Sequence, residues 1–158
     1  MAYRHTSASL FGAIALLLAT ITAGCVTNNG DIGNLYGIWR LEELVVDGTE
    51  VTQPEADGSY TSWQFQNNII EILRTTPRHD RIARNGTWSR PSDKTMTFDF
   101  THGDNTYAPG TDLYRAPEWI LFPEGLSTFD IITDDGKRLI LQYTDDRHSV
   151  RYTLVKDW

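Results

Sequence analysis

The most informative reactive residue in the 158-residue sequence is its single cysteine, Cys25. A lone cysteine forms no intramolecular disulfide and cannot build a cysteine-based zinc site. It follows a basic start, an apolar run over residues 10–19 and two small residues, Ala23 and Gly24. This order is typical of a secretory signal peptide with its cleavage site. We therefore expect residues 1–24 to be removed before Cys25.

The stretch just before the cysteine gives that residue a specific role. Residues 21–25 read Ile-Thr-Ala-Gly-Cys, which resembles the lipobox of bacterial lipoproteins. The resemblance implies that Cys25 carries a diacylglycerol on sulfur and a further acyl chain on nitrogen, so that palmitate would label it. Several acyl chains anchor a protein stably, whereas one binds only marginally. The alternatives are a secreted protein in which Cys25 is incidental and a retained transmembrane helix.

The resemblance also favours a location. No aspartate follows Cys25 directly, so the inner-membrane retention signal of enterobacterial lipoproteins is absent. We expect a lipid anchor in the outer membrane of a Gram-negative bacterium. Residues 25–34 are polar and contain glycine, which predicts a flexible tether.

Four other residues have side chains that bind metals or act as general bases, namely His79, Asp80, His102 and His148. None has a ligand spacing such as H-x-x-x-H, and each falls in a predicted turn or loop, so we interpret them as solvated. The stretch 134–136, Asp-Asp-Gly, lacks the further oxygen ligands of a calcium loop and predicts a hairpin turn. The sequence contains no nucleophile elbow and no phosphate-binding glycine loop. We expect no metal, no cofactor and no enzymatic activity.

Two charged residues alternate with apolar ones on predicted strands. Glu43 shares its parity with Leu41 and Val45, and Arg84 shares its parity with Trp88. If both point inward, they could anchor the polar head of a ligand or form a structural pair, because an unpaired buried charge is costly. The alternative is a bulge that breaks the alternation and places both outside.

An irregular stretch near the middle of the chain concentrates aromatic residues. Residues 101–117 lack periodicity, and an apolar element follows at 118–125. A connection of this length in a compact domain is usually functional or disordered, and we interpret it as a packed flap over one end of a barrel. Its rings could stack on a sugar or an apolar ligand, or seal the barrel as core. They are Tyr107, Tyr114, Trp119 and Phe122.

From residue 35 onward, apolar residues mostly recur at every second position, which is the spacing of β-strands. A first strand is predicted near 36–46, with Trp39, Leu41 and Val45 on one face. Later strands are marked by Trp63 and Phe65, by 69–74, by Ile82 and Trp88, by Met96, Phe98 and Phe100, by Phe129 and Ile131, by Leu139, Leu141 and Tyr143, and by Val150, Tyr152 and Leu154. About eight strands joined by short polar turns predict an all-β, up-and-down antiparallel barrel. A two-sheet β-sandwich is the alternative.

Two short motifs carry a family resemblance. Gly37-Ile38-Trp39 opens the first predicted strand, and Gly86-Thr87-Trp88 repeats the pattern later. The first resembles the G-x-W of lipocalins, and the layout over 35–158 looks like the lipocalin-like lipoproteins of Bacteroidota. The resemblance implies that Trp39 plugs the closed barrel end and that a late arginine packs over it. Arg151 is the best-placed residue for that role.

The overall charge limits the possible partners. The net charge is −7 and the pI is near 4.9, which excludes the basic footprint of nucleic-acid binding and adhesion to anionic lipid. We expect a membrane-anchored, non-catalytic module that binds a small apolar or amphipathic molecule or a glycan. The alternative is an interaction or inhibitor module that docks on a partner protein of the envelope.

Overall fold

The structure is a computed structural model that describes residues 33–51, 57–101 and 113–157. The expected signal peptide, Cys25 and almost all of the expected tether lie outside these residues, as do His102 and Tyr107. No helix in the described part of the chain is both long and apolar enough to cross a membrane.

The described residues form one antiparallel sheet of nine strands. The strands are β1 (Gly37–Val46), β2 (Thr49–Glu50), β3 (Tyr60–Gln66), β4 (Ile69–Thr75), β5 (Arg81–Ser92), β6 (Thr95–Asp99), β7 (Leu126–Asp134), β8 (Arg138–Thr144) and β9 (Ser149–Lys156). Short 3-10 turns lie at Gly33–Leu35 and Glu118–Ile120.

The sheet closes on itself because β1 has two full partners. Residues 37–40 of β1 pair with β3, and residues 39–46 pair with β9. The strands between pair in chain order, so eight strands form a closed up-and-down barrel, and β2 adds two residues beside the end of β1. The predicted all-β barrel is confirmed. The sandwich alternative is wrong, since a sandwich keeps two separate sheets with open edges.

Tight polar turns make this chain order possible. Asp47 and Asn67 adopt left-handed backbone angles, with φ of 51° and 49°, at the ends of β1 and β3. Two later turns are held by carboxylates. Asp135 accepts the amide protons of Lys137 and Arg138, and Asp145 accepts those of Arg147 and His148. The hairpin turns therefore occur at the polar stretches from which they were predicted.

The barrel interior is filled by aromatic rings. The largest fully buried side chains include Trp63, Phe65, Phe98, Phe129 and Tyr152. Their centroids lie 5.0 to 6.5 Å apart in tilted or edge-to-face pairs, the geometry that aromatic rings prefer. Alternation along the strands delivers these rings to one face, and closure of the sheet packs them against one another.

A β-bulge in β1 interrupts the alternation. The pairing with β9 shifts between Leu41 and Glu43. As a result Leu44 turns into the core, whereas Val45 pairs with the exposed Arg151 and lies outside the core cluster. The prediction that Val45 shares a face with Leu41 is wrong, because a bulge inserts one extra residue and moves every later side chain to the other face.

Trp39 closes the barrel end at which β1 begins. Its side chain is fully buried, and its Nε1 donates to the carbonyl of Leu35 at 2.7 Å. The cation over its ring is Lys156, whose Nζ lies 5.3 Å from the ring centroid. The expectation for Arg151 is wrong, since the parity of β9 turns Arg151 outward and Lys156 inward.

The second glycine motif permits a close approach of two strands. A Cβ on Gly86 would lie 2.7 Å from the carbonyl oxygen of Asp99 and 3.0 Å from the ring of Phe100. Trp88, two residues later, is buried with its ring 5.2 Å from Phe65. The motif thus combines a glycine, which lets two strands approach closely, with a large side chain in the core.

Candidate binding site beneath the flap

Residues 113–125, called the flap from here on, cover one end of the barrel. The flap contacts Thr61 and Arg84, which lie near the beginnings of β3 and β5. Because neighbouring strands are antiparallel, this is the end at which β1 finishes, opposite Trp39. Three flap side chains are buried in the core, namely Ala116, Ile120 and Phe122. The described part of the expected flap is therefore packed.

A turn within the flap aims one ring into the barrel. The 3-10 turn ends at Leu121, which has a left-handed φ of 53°, and the amide of Phe122 donates to the carbonyl of Pro117. The ring of Phe122 then lies 5.0 to 5.9 Å from five others. Those rings are Trp63, Phe98, Phe100, Phe129 and Tyr152. Phe122 thus fills the lumen beneath the flap.

Arg84 brings a positive charge to this end of the barrel. It lies opposite Ile72 on the inward face of β5, and 10% of its side chain is exposed. Its Nη2 donates to both carboxylate oxygens of Glu118 at 3.1 and 3.2 Å, and its Nη1 to the carbonyl of Ala83. Its Nε has no acceptor among the described residues. The counter-charge of this buried guanidinium therefore comes from the flap.

Further polar contacts fasten the flap to the barrel wall. Trp119 places its ring 5.3 Å from the guanidinium carbon of Arg84 and donates its Nε1 hydrogen to Thr61 at 3.2 Å. The hydroxyl of Tyr152 donates to the carbonyl of Leu121 at 3.1 Å. Burial raises the pKa of the Tyr152 hydroxyl far above its ordinary value, with a smaller contribution from Tyr143, so this group remains a neutral donor.

The structure brings together only part of the predicted set. Arg84 points inward as its parity predicts, Trp119 of the flap lies beside it, and Phe122 of the flap is buried in the core cluster. Glu43 does not join them, because the bulge places it on the outer face, where it accepts a hydrogen bond from Thr153 at 3.0 Å. Tyr114 is half-buried on the flap.

The acid that pairs with Arg84 is Glu118, which the sequence pattern does not predict as a site residue. Glu118 follows Pro117 at the start of a 3-10 turn, beside Trp119, and 67% of its side chain is exposed. An acidic residue in an aromatic flap is a visible signal. Its pairing with a strand residue 34 positions away is a matter of tertiary structure.

The described histidines, His79 and His148, lie in the turns that precede β5 and β9. His148 contacts the carboxylate of Asp47 at 3.0 Å in an exposed turn, and the amide of Ser149 also donates to Asp47. Those two hydrogen bonds, first from Ser149 and then from His148, hold the pKa of Asp47 below its ordinary value. Within the described ranges, no group of three or more His, Cys, Asp or Glu side chains is placed to hold a metal.

A separate groove lies on the outer wall of the barrel. It has a volume of about 410 Å³ and is lined by Asn68, Thr87, Trp88, Ser89, Thr97, Phe98, Asp99 and Leu126. Its polar side chains alternate with the inward Trp88 and Phe98, which places them on the outside of β5 and β6. The volume is within the range of ligand sites, but the groove is open and polar, whereas most such sites are apolar.

Comparison with known proteins identifies the fold and no family. The sequence matches no protein-family model and no curated protein. Solved structures that resemble it include a lipocalin-like protein from Bacteroides uniformis, with 17% identity, a TM-score of 0.48, and coverage of 78% of this chain and 99% of that chain. An uncharacterized protein from Bacteroides eggerthii has 17% identity and a TM-score of 0.53, with 77% and 98% covered. The second likeness shows a shared fold.

Proposed function

We propose that this chain is a non-catalytic binding module, held at the cell envelope by lipid on Cys25, that takes a small amphipathic or apolar molecule beneath the flap. The observation that supports the proposal is the inward Arg84 at the mouth of an otherwise apolar lumen. Its charge is balanced by a residue of the flap and not by one of the barrel wall. In this proposal, the structure with the flap paired to Arg84 is the closed form of the binding site.

The cost of burying Arg84 supports a binding role. A guanidinium removed from water is expensive unless it is paired, and an apolar side chain of similar size often serves stability as well or better. The neighbouring inward positions on β4, Ile70 and Ile72, are fully buried and apolar. A charge retained in such surroundings is better explained by recognition of a partner group than by stability.

The anchor belongs to the same proposal. The signal peptide and lipobox pattern, together with the resemblance to lipocalin-like lipoproteins of Bacteroidota, support placement in the outer membrane of a Gram-negative bacterium. The acidic charge of the chain disfavours attachment through anionic lipid heads, which leaves the lipid on Cys25 as the proposed means of attachment.

Native mass spectrometry of the full chain, purified from its own membranes in detergent, tests the binding role. We expect a small molecule of a few hundred daltons, an order-of-magnitude size for pocket ligands, to accompany the wild-type protein. Arg84→Gln should release it. Arg90→Gln should retain it, because Arg90 forms its ion pair with Asp134 at the opposite end of the barrel, where β5 and β7 finish. Equal retention by both variants would contradict a site at Arg84.

A second candidate function is docking on a partner protein of the envelope. The filled lumen favours it, as does the outer-wall groove. Leu126, which is 72% exposed, lines the groove, and Ile69, which is 50% exposed, pairs with the lining residue Thr87. Apolar side chains beside a polar groove are typical of interaction surfaces. A photo-crosslinker at Leu126 that captures one envelope protein, while a crosslinker at the exposed Ile132 does not, would favour this candidate.

A further inference from the structure

We propose that Glu118 and Phe122 of the flap occupy the positions of an amphipathic anion, so that the flap acts as an internal competitor for the ligand. The ligand class is then a carboxylate, or a similar anionic head, attached to an apolar or aromatic body. This inference rests on the proposed binding beneath the flap. It adds the charge of the ligand and the identity of the residues that the ligand displaces.

The anionic half of the inference comes from Arg84. Both oxygens of the Glu118 carboxylate lie within 3.2 Å of Nη2, while Nε has no acceptor among the described residues. A guanidinium has five N–H donors in a planar fork that matches carboxylates and phosphates. Arg84 therefore has unused donor capacity toward an anion.

The two partners of this ion pair differ sharply in exposure. The Arg84 side chain is 10% exposed and the Glu118 side chain is 67% exposed. Glu118 can return to water at little cost, whereas Arg84 remains in the barrel and needs another anion. The pair is therefore built so that its acidic member is the replaceable one.

The apolar half of the inference comes from the ring cluster. Trp63, Phe98, Phe129 and Tyr152 belong to strands of the barrel wall, whereas Phe122, which packs among them, belongs to the flap. Movement of the flap would withdraw one ring and leave a space lined by aromatic side chains. Glu118 and Phe122 belong to the same short segment of the flap, so one movement would withdraw both the carboxylate from Arg84 and the ring from the cluster.

One buried donor in this cluster is also unused. The Nε1 hydrogen of Trp63 has no acceptor among the described residues, although the residue is fully buried. Buried polar groups are normally hydrogen-bonded, and an orphaned donor needs an explanation. A polar atom of a bound molecule would satisfy it.

The flap competes only if its contacts can be replaced. Among the described residues, its side-chain hydrogen bonds to the wall include those of Glu118 with Arg84, Trp119 with Thr61, and Tyr152 with the flap backbone. A ligand opens the flap only to the extent that it binds the open form more tightly than the closed one. A carboxylate joined to a phenyl ring would reproduce the two main contacts that it displaces.

Isothermal titration of the full chain in detergent with phenylbutyrate and with phenylbutanol tests the inference, with protein-free detergent as the blank. The two probes share a ring and a chain length and differ in charge. We expect phenylbutyrate to bind the wild type more tightly, and Glu118→Gln to strengthen its binding about tenfold, as expected for the loss of one charged competitor. Glu118→Gln should change phenylbutanol binding less, because that probe does not need the guanidinium.

Two matched variants separate the local effect from a change in net charge. Glu124→Gln removes another exposed carboxylate of the flap, one that pairs with Arg115 at 3.7 Å, and should leave the affinity for phenylbutyrate unchanged. Arg84→Gln should remove the preference for phenylbutyrate over phenylbutanol, while Arg90→Gln should keep it. An equal gain from Glu118→Gln and Glu124→Gln would overturn the inference.

A third variant distinguishes failure of this inference from failure of the proposed function. Phe122→Ala, or Phe122→Leu if the first does not fold, opens the ring-lined space without changing charge. Stronger binding of both probes by that variant, with no preference for the anion, would overturn the anionic ligand class and leave binding beneath the flap intact. Binding of neither probe by the wild type or by the folded Phe122 variant would overturn both.

Discussion

The burial of Trp39 matches what its position in the sequence predicts. It opens β1 within a G-x-W motif, is fully buried, and donates its indole hydrogen to Leu35. The cation above its ring is Lys156, which lies two residues beyond Leu154, the last residue of the inward row that the sequence suggests. The side chain therefore combines apolar burial, one hydrogen bond and one cation–π contact.

Replacement of Trp39 by alanine tests its role as the plug of this end. We expect Trp39→Ala to lower the free energy of unfolding by about 3–5 kcal/mol, because a large buried side chain leaves a cavity. Urea unfolding followed by circular dichroism measures the change. Tyr36→Ala, at a position 54% exposed, should change it by less than about 0.5 kcal/mol. A small effect at Trp39 would contradict its burial.

Gly86 is needed because it has no side chain, and this leads to a second prediction. A Cβ there would meet the carbonyl oxygen of Asp99 at 2.7 Å, and backbone cannot move aside as a flexible side chain can. We expect Gly86→Ala to destabilise the fold by about 1–3 kcal/mol, the usual cost of overpacking. Thermal unfolding of the variant beside the exposed Ser89→Ala on the same strand checks it. Equal stability of the two would show that the strands separate without cost.

At the scale of elements, the hairpin turns of the C-terminal meander depend on ionised carboxylates. Asp145 accepts the amide hydrogens of Arg147 and His148, each at 2.8 Å. These bonds, chiefly the one from His148, hold the pKa of Asp145 below its ordinary value. Asp135 does the same in the preceding turn, where Arg138 is the leading donor.

The sign of the resulting pH dependence follows from those shifts. A carboxyl whose pKa is lower in the folded state stabilises the fold fully above the unfolded-state pKa, about 3.9, and loses that contribution as the pH falls through the folded-state pKa. We expect the free energy of unfolding to fall on acidification from about pH 5 toward pH 2. Asp145→Asn and Asp135→Asn should each make the decline shallower.

Chemical denaturation at a series of pH values measures these slopes. Ser92→Ala is the control, since Ser92 accepts the amide hydrogen of Lys94 in another turn and has no charge to lose. Its slope should match the wild type. Identical slopes in all three variants would show that the turn carboxylates do not account for acid sensitivity.

At the scale of the whole molecule, closure of the sheet stabilises the barrel and also leaves little space inside it for a ligand. Pairing of β1 with β9 removes the open edges on which sheets associate. The same closure packs large rings into a lumen that eight strands leave just wide enough for side chains. Binding beneath the flap therefore requires the flap to move, whereas docking on the outer wall does not.

The anchor is also a property of the whole chain. We expect Cys25→Ala to release the protein from the membrane fraction and to abolish labelling by radioactive palmitate, because Cys25 is the single cysteine. Cell fractionation and metabolic labelling measure both effects. Val26→Ala, the adjacent position, should change neither. Unchanged fractionation of Cys25→Ala would contradict the lipid anchor.

Much of the barrel could be predicted from the sequence by itself. Alternation of apolar residues determines which side chains of a strand share a face, and short polar runs mark the turns, because both depend on neighbouring residues. This is why the strands, the meander and the inward direction of Arg84 were predictable. The anchoring motif around Cys25 is equally local, and it stays a prediction.

Only the tertiary structure decided how those strands meet. The bulge after Leu41 turned Glu43 outward, the register of β9 placed Lys156 and not Arg151 over Trp39, and the flap brought Glu118 to Arg84. Each outcome depends on pairing between residues far apart in the chain, about which a pattern along one strand contains no information. The filling of the lumen by Phe122 has the same origin, since closure of the whole sheet determines how much space remains inside.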